Sequence, residues 1–298
     1  MSETAEPSAL PSDGLTILAA LQQAQTQGLN RLDAQLLLAE LCGQSRSWLI
    51  AHDDAVLDAA QQQHWQNWLA QRADGVPVAY LLGRHEFHGL TLQVGPAVLD
   101  PRPDTETLVD WALERLQTRP AGPAPQVLDL GTGSGAVALA IKNGWPRAEV
   151  AAVDLSVHAL AVALRNGERL GLAVQWWCGN WFGPLPAGRR FELIVSNPPY
   201  VREDDPHLAA LRHEPRLALT SGADGLDAIR RIVHDAPDWL SQDGWLLLEH
   251  GHDQADAVAA LLQAAGFGSI EHRLDLAGHR RCTGACLLSR QNVGLTSN

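Results

Sequence analysis

The sequence predicts an α/β protein with a doubly wound, mostly parallel sheet of seven strands, preceded by a small helical bundle. Two observations lead to this prediction. From residue 126 onward, short runs rich in β-forming residues alternate with amphipathic segments of helical period, which is typical of βαβ units. Residues 16–73 instead carry apolar side chains at intervals of three and four and are interrupted by glycines, which is typical of short packed helices.

The N-terminal third divides into three predicted segments before the catalytic domain. Residues 1–13 are acidic and rich in Pro and Ser, so we expect a disordered tail. Residues 14–78 form the predicted helical domain, with helices in 15–29, 31–43 and 58–75. Residues 79–100 are rich in β-formers and glycine and predict a β-hairpin or extended linker.

The predicted catalytic domain spans 101–298 and opens with a helix that Asp104 or Thr105 can cap. The predicted strands lie at 126–130, 148–154, 174–179, 191–197, 244–251, 269–276 and 282–290, and the helices between them at 135–144, 156–171, 225–240 and 253–266. Since no helix separates the last two strands, we expect them to pair antiparallel at one edge of the sheet.

Composition narrows the class of partner. The formal net charge of −12 argues against a protein that mainly grips nucleic acid, which requires a basic face. We find no apolar run of about 18 residues, so no membrane span is expected. Four irregularly spaced cysteines predict reduced thiols in a cytoplasmic protein, with no metal site.

A glycine-rich loop follows the strand at 126–130. Gly131, Gly133 and Gly135, with Thr132 and Ser134 between them, would let the backbone approach a ligand at a helix N-terminus. The loop also satisfies a dinucleotide-binding pattern, and Asp154 ends the next strand, where a carboxylate accepts both hydroxyls of a ribose. This geometry serves NAD and S-adenosylmethionine (SAM) equally. Asp129, just before the loop, favours SAM, because a carboxylate there suits an α-ammonium group and repels a pyrophosphate.

The third strand ends in "CGNWF", which places Asn180 and Trp181 beside the glycine loop. Asn180 could bond an adenine edge, and the Trp181 ring could pack on the base. A surface turn with a tryptophan in the core remains an equal alternative for Trp181.

The stretch "SNPPYV" at the end of the fourth strand predicts the reacting site. Prolines stop the strand and offer carbonyls without N–H groups, so Asn197, Pro198 and Pro199 form a rigid cluster of acceptors. Asn197 and the Pro198 carbonyl can each accept one N–H of a planar amino group, and Tyr200 can lie against it. This would aim the nitrogen lone pair at a methyl donor and stabilise the developing positive charge.

Asn-Pro-Pro-Tyr after such a loop resembles the amino methyltransferases that modify adenine, guanine or glutamine. Further segments narrow the match: "PRPDTE" (101–106), "DLGTGSG" (129–135), "NWF" (180–182), "SNPPYV" (196–201), "EPRLAL" (214–219), "DGLD" (224–227) and "LLLEHG" (246–251). In this order they resemble the HemK/PrmC family of peptide chain release factor glutamine N5-methyltransferases, over nearly the whole chain.

The resemblance implies a Rossmann-like, SAM-dependent domain that releases S-adenosylhomocysteine and needs no metal. It implies that Gly131 to Gly135, Asp154 and Trp181 bind SAM, that Asn180 and Asn197 also belong to the SAM-binding residues, and that Asn197 to Tyr200 bind the substrate. The substrate would be the glutamine of the Gly-Gly-Gln loop of bacterial class I release factors, docked partly by the helical domain. Two positions depart from the family: Asp104 replaces a usual Glu, and Asn180 a frequent Asp.

Other functions remain as alternatives. A sister family methylates glutamine in a ribosomal protein, but "PRPDTE" favours the release factor enzymes. A DNA adenine methyltransferase needs a basic region to hold a flipped base, which the acidic charge disfavours. A nonenzymatic SAM-binding module and an NAD-dependent oxidoreductase are the remaining alternatives. Arg102 and Glu106 are further candidates to line the site.

Overall fold

The computed structural model describes residues 14–120 and 122–287. The chain separates into two compact units between Leu82 and Gly83. The predicted tail at 1–13 and the last residues of the final predicted strand, 288–290, lie outside the described residues. In the described part, no helix is long and apolar enough to cross a membrane.

The N-terminal unit is a bundle of short helices. They are α1 (Ile17–Thr26), α2 (Arg31–Cys42), α3 (Arg46–Ala51), α4 (Ala59–Ala73) and α5 (Val78–Leu82). Side-chain caps explain the helix starts: Asn30 accepts from the Asp33 amide, and Asp58 forms a reciprocal capping box with Gln61. Trp65 and several leucines form the fully buried core of this unit.

Two helices of this unit differ from the sequence prediction. The six residues of α3 are too few to display a helical period, so no pattern predicts this helix. Helix α5 occupies the first positions of the segment at 79–100 that was expected to be a hairpin or extended. The hairpin itself is present as β1 (Arg84–Phe87) and β2 (Leu90–Gln93).

The second unit contains the predicted seven-stranded sheet, flanked by helices. Its strands are β3 (Gln126–Leu130), β4 (Glu149–Asp154), β5 (Gln175–Cys178), β6 (Phe191–Ser196), β7 (Leu240–Glu249), β8 (Phe267–Leu274) and β9 (Arg280–Leu287). Its helices are α6 (Glu106–Gln117), α7 (Ala136–Gly144), α8 (Val157–Leu170), α9 (Asp227–Asp235) and α10 (Ala255–Ala264). The doubly wound α/β fold class is confirmed.

The strand order is β5-β4-β3-β6-β7-β9-β8. All neighbours are parallel except that β9 runs antiparallel to both β7 and β8, which confirms the predicted antiparallel edge. One apolar core lies under α6 and α7, and a second lies under α9 and α10 on the opposite face. Because β4, β3 and β6 are adjacent and parallel, the loops that follow them meet at one edge of the sheet.

Candidate active site

A cavity opens at the carboxyl edge of these three central strands. Seven of the residues predicted from sequence line it: Gly131, Gly133, Asp154, Asn180, Trp181, Asn197 and Pro199. An apolar wall of the cavity comes from the segments at 97–99 and 215–218. The fold therefore brings the glycine loop, the end of β4 and the Asn-Pro-Pro-Tyr segment to one cavity.

Two glycines form the surface of the glycine loop. Gly131 and Gly133 have φ angles of 74° and 56°, in the left-handed region that favours glycine. A Cβ on Gly133 would meet nothing within 4 Å, so its face is open. The Gly133 amide donates to Asp154 Oδ2 at 2.8 Å, and the Ser156 amide donates to Asp154 Oδ1 at 2.8 Å. Burial raises the pKa of Asp154, although these amides oppose the rise.

The other predicted loop residues lie below that surface. Thr132 and Ser134 are buried, and the Ser134 carbonyl accepts from Asn166 Nδ2 at 2.9 Å. A Cβ on Gly135 would lie 3.0 Å from Leu139 Cδ1 and 3.1 Å from the Trp176 ring. Thr132, Ser134 and Gly135 are thus absent from the residues that line the cavity, and Gly135 allows close packing of helix on strand.

Asp129 does not occupy the position that the sequence argument gave it. Its carboxyl is 1% exposed and accepts a 2.6 Å hydrogen bond from the Thr132 hydroxyl. Burial raises its pKa to about 7. The hydrogen bond from Thr132 ties Asp129 to the glycine loop, and Asp129 does not line the cavity. A direct contact between Asp129 and the α-ammonium group of SAM is therefore not supported.

The end of β5 supplies one side of the cavity. Trp181 has a φ angle of 47°, uncommon for a bulky residue, and its ring lies beside Gly131, 3.6 Å from the position of an added Cβ. Asn180 is exposed and also lines the cavity. This placement favours the ligand-facing interpretation of Trp181, although part of the ring also packs on the second apolar core.

The Asn-Pro-Pro-Tyr segment is held by groups from three other parts of the chain. Asn197 Nδ2 donates to Thr105 Oγ1 at 3.0 Å, and the Tyr200 hydroxyl donates to Glu249 Oε1 at 3.3 Å. Gln254 Nε2 donates to the Tyr200 carbonyl at 3.1 Å. Pro198 is buried and Tyr200 is half-buried, and neither lines the cavity.

Glu249 is the most unusual of these supporting groups. It is 1% exposed, and burial raises its pKa to about 7 while neighbouring Thr105 and Arg281 oppose the rise. Its Oε2 is buried without a hydrogen-bond partner of regular geometry among the described residues. Burial also raises the pKa of Tyr200, so its hydroxyl stays protonated and acts as a donor.

Sequence reasoning missed the roles of Thr105, Glu249 and Gln254. Thr105 makes no side-chain cap to the helix, and Asp104 pairs with Arg281 at 3.2 Å, so the predicted cap was wrong. For two of them the sequence carries a signal, because Thr105 lies in "PRPDTE" and Glu249 in "LLLEHG"; Gln254 lies outside both segments.

Arg102 and Glu106 do not line the cavity, contrary to expectation. Arg102 Nη2 pairs with buried Glu214 Oε1 at 2.5 Å, and the Asp100 amide donates to Glu214 Oε2 at 3.3 Å. This pair ties the segment after 97–99 to the segment 215–218, the two parts of the apolar wall. Glu106 accepts from the His88 amide at 2.8 Å and holds the β1–β2 hairpin. Across residues 14–120 and 122–287, no group of three or more His, Cys, Asp or Glu side chains could hold a metal ion.

Comparison with known proteins identifies the class first. The model of the methyltransferase small domain matches residues 107–214, and the model of the PrmC N-terminal domain matches residues 17–83. Among solved structures, the T. thermophilus 16S rRNA N2 G1207 methyltransferase in complex with AdoMet and guanosine has a TM-score of 0.52 and 24% identity. The match covers 68% of this chain and 49% of that one, and shows a methyltransferase fold.

Two relatives then identify the family. A release factor glutamine methyltransferase of Bordetella pertussis is 50% identical over 262 residues, covering 87% of this chain and 96% of that protein. One of Xylella fastidiosa (strain Temecula1) is 48% identical over 271 residues, covering 90% and 97%. The chain belongs to the family of release factor glutamine methyltransferases, and the resemblance drawn from its sequence segments is confirmed.

Proposed function

We propose that this chain transfers a methyl group from SAM to the side-chain amide nitrogen (N5) of a glutamine, leaving S-adenosylhomocysteine. The glutamine is that of the Gly-Gly-Gln loop of bacterial class I peptide chain release factors. Family membership supports the reaction and the partner. The observation that carries the proposal is that Asn197 and Pro199 line the same cavity as Gly133 and Asp154, so acceptor cluster and ligand loop share one space.

The residues of the cavity fit SAM. The open face of Gly133 leaves room that a Cβ would fill, and the Asp154 carboxylate keeps lone pairs beyond the two amides it accepts. We propose that Asp154 accepts the ribose hydroxyls and that Asn180 and Trp181 flank the base. When bound, SAM supplies a methyl group on positively charged sulfur.

The chain's own residues prepare the glutamine amide. Asn197 Oδ1 and the Pro198 carbonyl would each accept one amide N–H, which orients the nitrogen and stabilises positive charge on it. The proline rings fix the backbone, so the acceptors lose little entropy when the substrate binds. The proton leaves the nitrogen after methyl transfer, so no strong general base is needed.

Mass spectrometry of the substrate tests the function. Purified protein is incubated with SAM and a release factor, and the peptide containing Gly-Gly-Gln should carry one added methyl on the glutamine. Asn197→Ala should lower the rate at least about 100-fold. Asn143→Ala, at an exposed position of α7 in the same unit, is the matched control and should retain activity. A methyl group elsewhere, or full activity of Asn197→Ala, would contradict the proposal.

Two other substrates are outcomes of the same assay. Labelled SAM offered with a ribosomal protein or with DNA would reveal the alternative targets. Label on the ribosomal protein alone would show that this protein, and not the release factor, is the substrate. The net charge of −12 makes salt-sensitive DNA binding the less expected outcome.

We also propose that the helical unit at 14–78 docks the release factor. Its match to the PrmC N-terminal domain supports this role, as do the exposed apolar side chains of Ile50 and Val56, which are 64% and 59% exposed. Ile50→Asp should raise the KM for the release factor and leave kcat and SAM affinity unchanged. The matched control is Leu164→Asp, at an exposed position of α8. An unchanged KM for Ile50→Asp would argue against docking by this surface.

A further inference from the structure

Thr105 is a buried hydroxyl directed at the reacting segment. It lies at the start of α6, where a threonine side chain ordinarily caps the helix, but it makes no cap hydrogen bond. Thr105 is only 3% exposed, and its Oγ1 accepts a hydrogen bond from Asn197 Nδ2 at 3.0 Å. The contact joins residues 92 positions apart in the chain. Thr105 therefore supports Asn197 rather than its own helix.

Glu249 lies behind the same segment. Its carboxyl is enclosed at the end of β7 and accepts from the Tyr200 hydroxyl at 3.3 Å, and the Thr105 hydroxyl is near enough to lower its pKa. A buried carboxyl is costly unless nearby donors offset its desolvation. Glu249 contacts Tyr200 of the reacting segment, and Thr105, which lowers its pKa, contacts Asn197.

The order of donors fixes the orientation of the Asn197 amide. A hydroxyl has one proton, and an ionised carboxylate can only accept. When Thr105 directs its proton toward Glu249, its oxygen is left to accept, so Asn197 must present its –NH2 to Thr105. The amide oxygen then takes the other direction and serves as the acceptor at the cavity that Asn197 lines. The opposite orientation would present –NH2 to a substrate amide that is itself a donor.

We propose that Thr105 and Glu249 are positioning residues for methyl transfer: they hold Asn197 with its amide oxygen toward the substrate nitrogen and hold the Tyr200 ring in place. This inference rests on the proposed function and adds two residues that do not themselves touch the substrate. It predicts that their removal lowers the rate of the chemical step more than it lowers binding of SAM.

The test removes the hydroxyl while keeping the shape of the side chain. Thr105→Val is compared with Thr105→Ser, which restores the hydroxyl, and with Thr118→Val as the matched control. Thr118 is exposed at the far end of α6, where its hydroxyl donates to the Glu114 carbonyl at 3.1 Å. Activity is measured with a release factor at about pH 8, where Glu249 is mostly ionised, and SAM affinity is measured by calorimetry.

We expect Thr105→Val to lower kcat roughly 10- to 100-fold, with SAM affinity within about threefold of wild type. Thr105→Ser should recover most of kcat, and Thr118→Val should be unaffected. Glu249→Gln should also lower kcat, because its –NH2 can donate to Thr105 and release the hydroxyl proton toward Asn197. A purely structural role would instead reduce SAM affinity and kcat together, without rescue by serine.

Two results would overturn the inference while leaving the proposed function intact. One is a wild-type kcat for Thr105→Val and Glu249→Gln in an enzyme that methylates the glutamine. The other is an equal loss of kcat in Thr105→Ser and Thr105→Val, which would show that the hydroxyl is not the operative group. If the wild-type chain itself places no methyl on the glutamine, the proposed function fails, and the inference fails with it.

Discussion

A methyl group added at Gly225 should disturb the reacting segment through the backbone of Tyr200. Gly225 has a φ angle of 78° and lies against the backbone of Tyr200. A Cβ at this position would overlap the Tyr200 carbonyl oxygen and would lie 2.8 Å from Gln254 Nε2. Gly225→Ala therefore combines left-handed backbone strain with a steric displacement of Tyr200.

The size of the effect follows from these two terms. Placing alanine in the left-handed region costs about 1–2 kcal/mol. Ordinary C···O contacts lie near 3.3–3.6 Å, so the Tyr200 carbonyl must withdraw by roughly 1 Å, and the hydrogen bond from Gln254 is weakened by about 1 kcal/mol. A misplacement of roughly 1 Å in a positioning element can lower a rate about 100-fold.

Gly266→Ala provides a matched control. Gly266 has a φ angle of 86°, but a Cβ there would meet nothing within 4 Å. Urea unfolding should show a loss of about 1–2 kcal/mol for Gly266→Ala and a larger loss for Gly225→Ala. Methyl transfer to the release factor should fall only for Gly225→Ala. Equal stability and equal activity in the two variants would refute the steric argument.

Three further predictions concern charged groups around the cavity. Burial raises the pKa of Glu249 from 4.5 to about 7, so the folded chain binds this proton more tightly than the unfolded chain. The free energy of unfolding should therefore fall by about 3 kcal/mol as pH rises through this interval. When the urea midpoint is plotted against pH, Glu249→Gln should flatten that part of the curve. Part of the slope should remain, because the pKa of Asp129 is also about 7. Glu214→Gln breaks the buried pair with Arg102 and should lower the free energy of unfolding by about 1–3 kcal/mol. It should also weaken SAM binding, measured by calorimetry. An unchanged SAM affinity would show that this pair does not support the apolar wall of the cavity. Asp154→Asn turns an –NH2 toward the Gly133 or Ser156 amide and should weaken SAM binding at least about tenfold, whereas a dissociation constant like that of wild type would exclude Asp154 from the ligand site.

The sequence alone was sufficient for the fold class and for the position of the site. Strand and helix periods are local, so the parallel sheet and the loop at 131–135 could be located without any long-range contact. The rule that ligands bind at the carboxyl ends of parallel strands then placed Asp154 and Asn197 near the loop, where the structure has them. Short elements such as α3 could not be predicted, because six residues do not complete two helical turns.

Only the tertiary structure decided which of these residues face the cavity. Sequence spacing gave Asp129 a place beside the ligand, but the strand directs its carboxyl beneath the loop, where it accepts from Thr132 and is 1% exposed. The partners of the reacting segment were equally hidden, because Thr105 reaches Asn197 across 92 positions and Glu249 reaches Tyr200 across 49. Local patterns record periodicity and turn chemistry, whereas the direction and burial of a polar side chain depend on elements that meet only when the chain has folded.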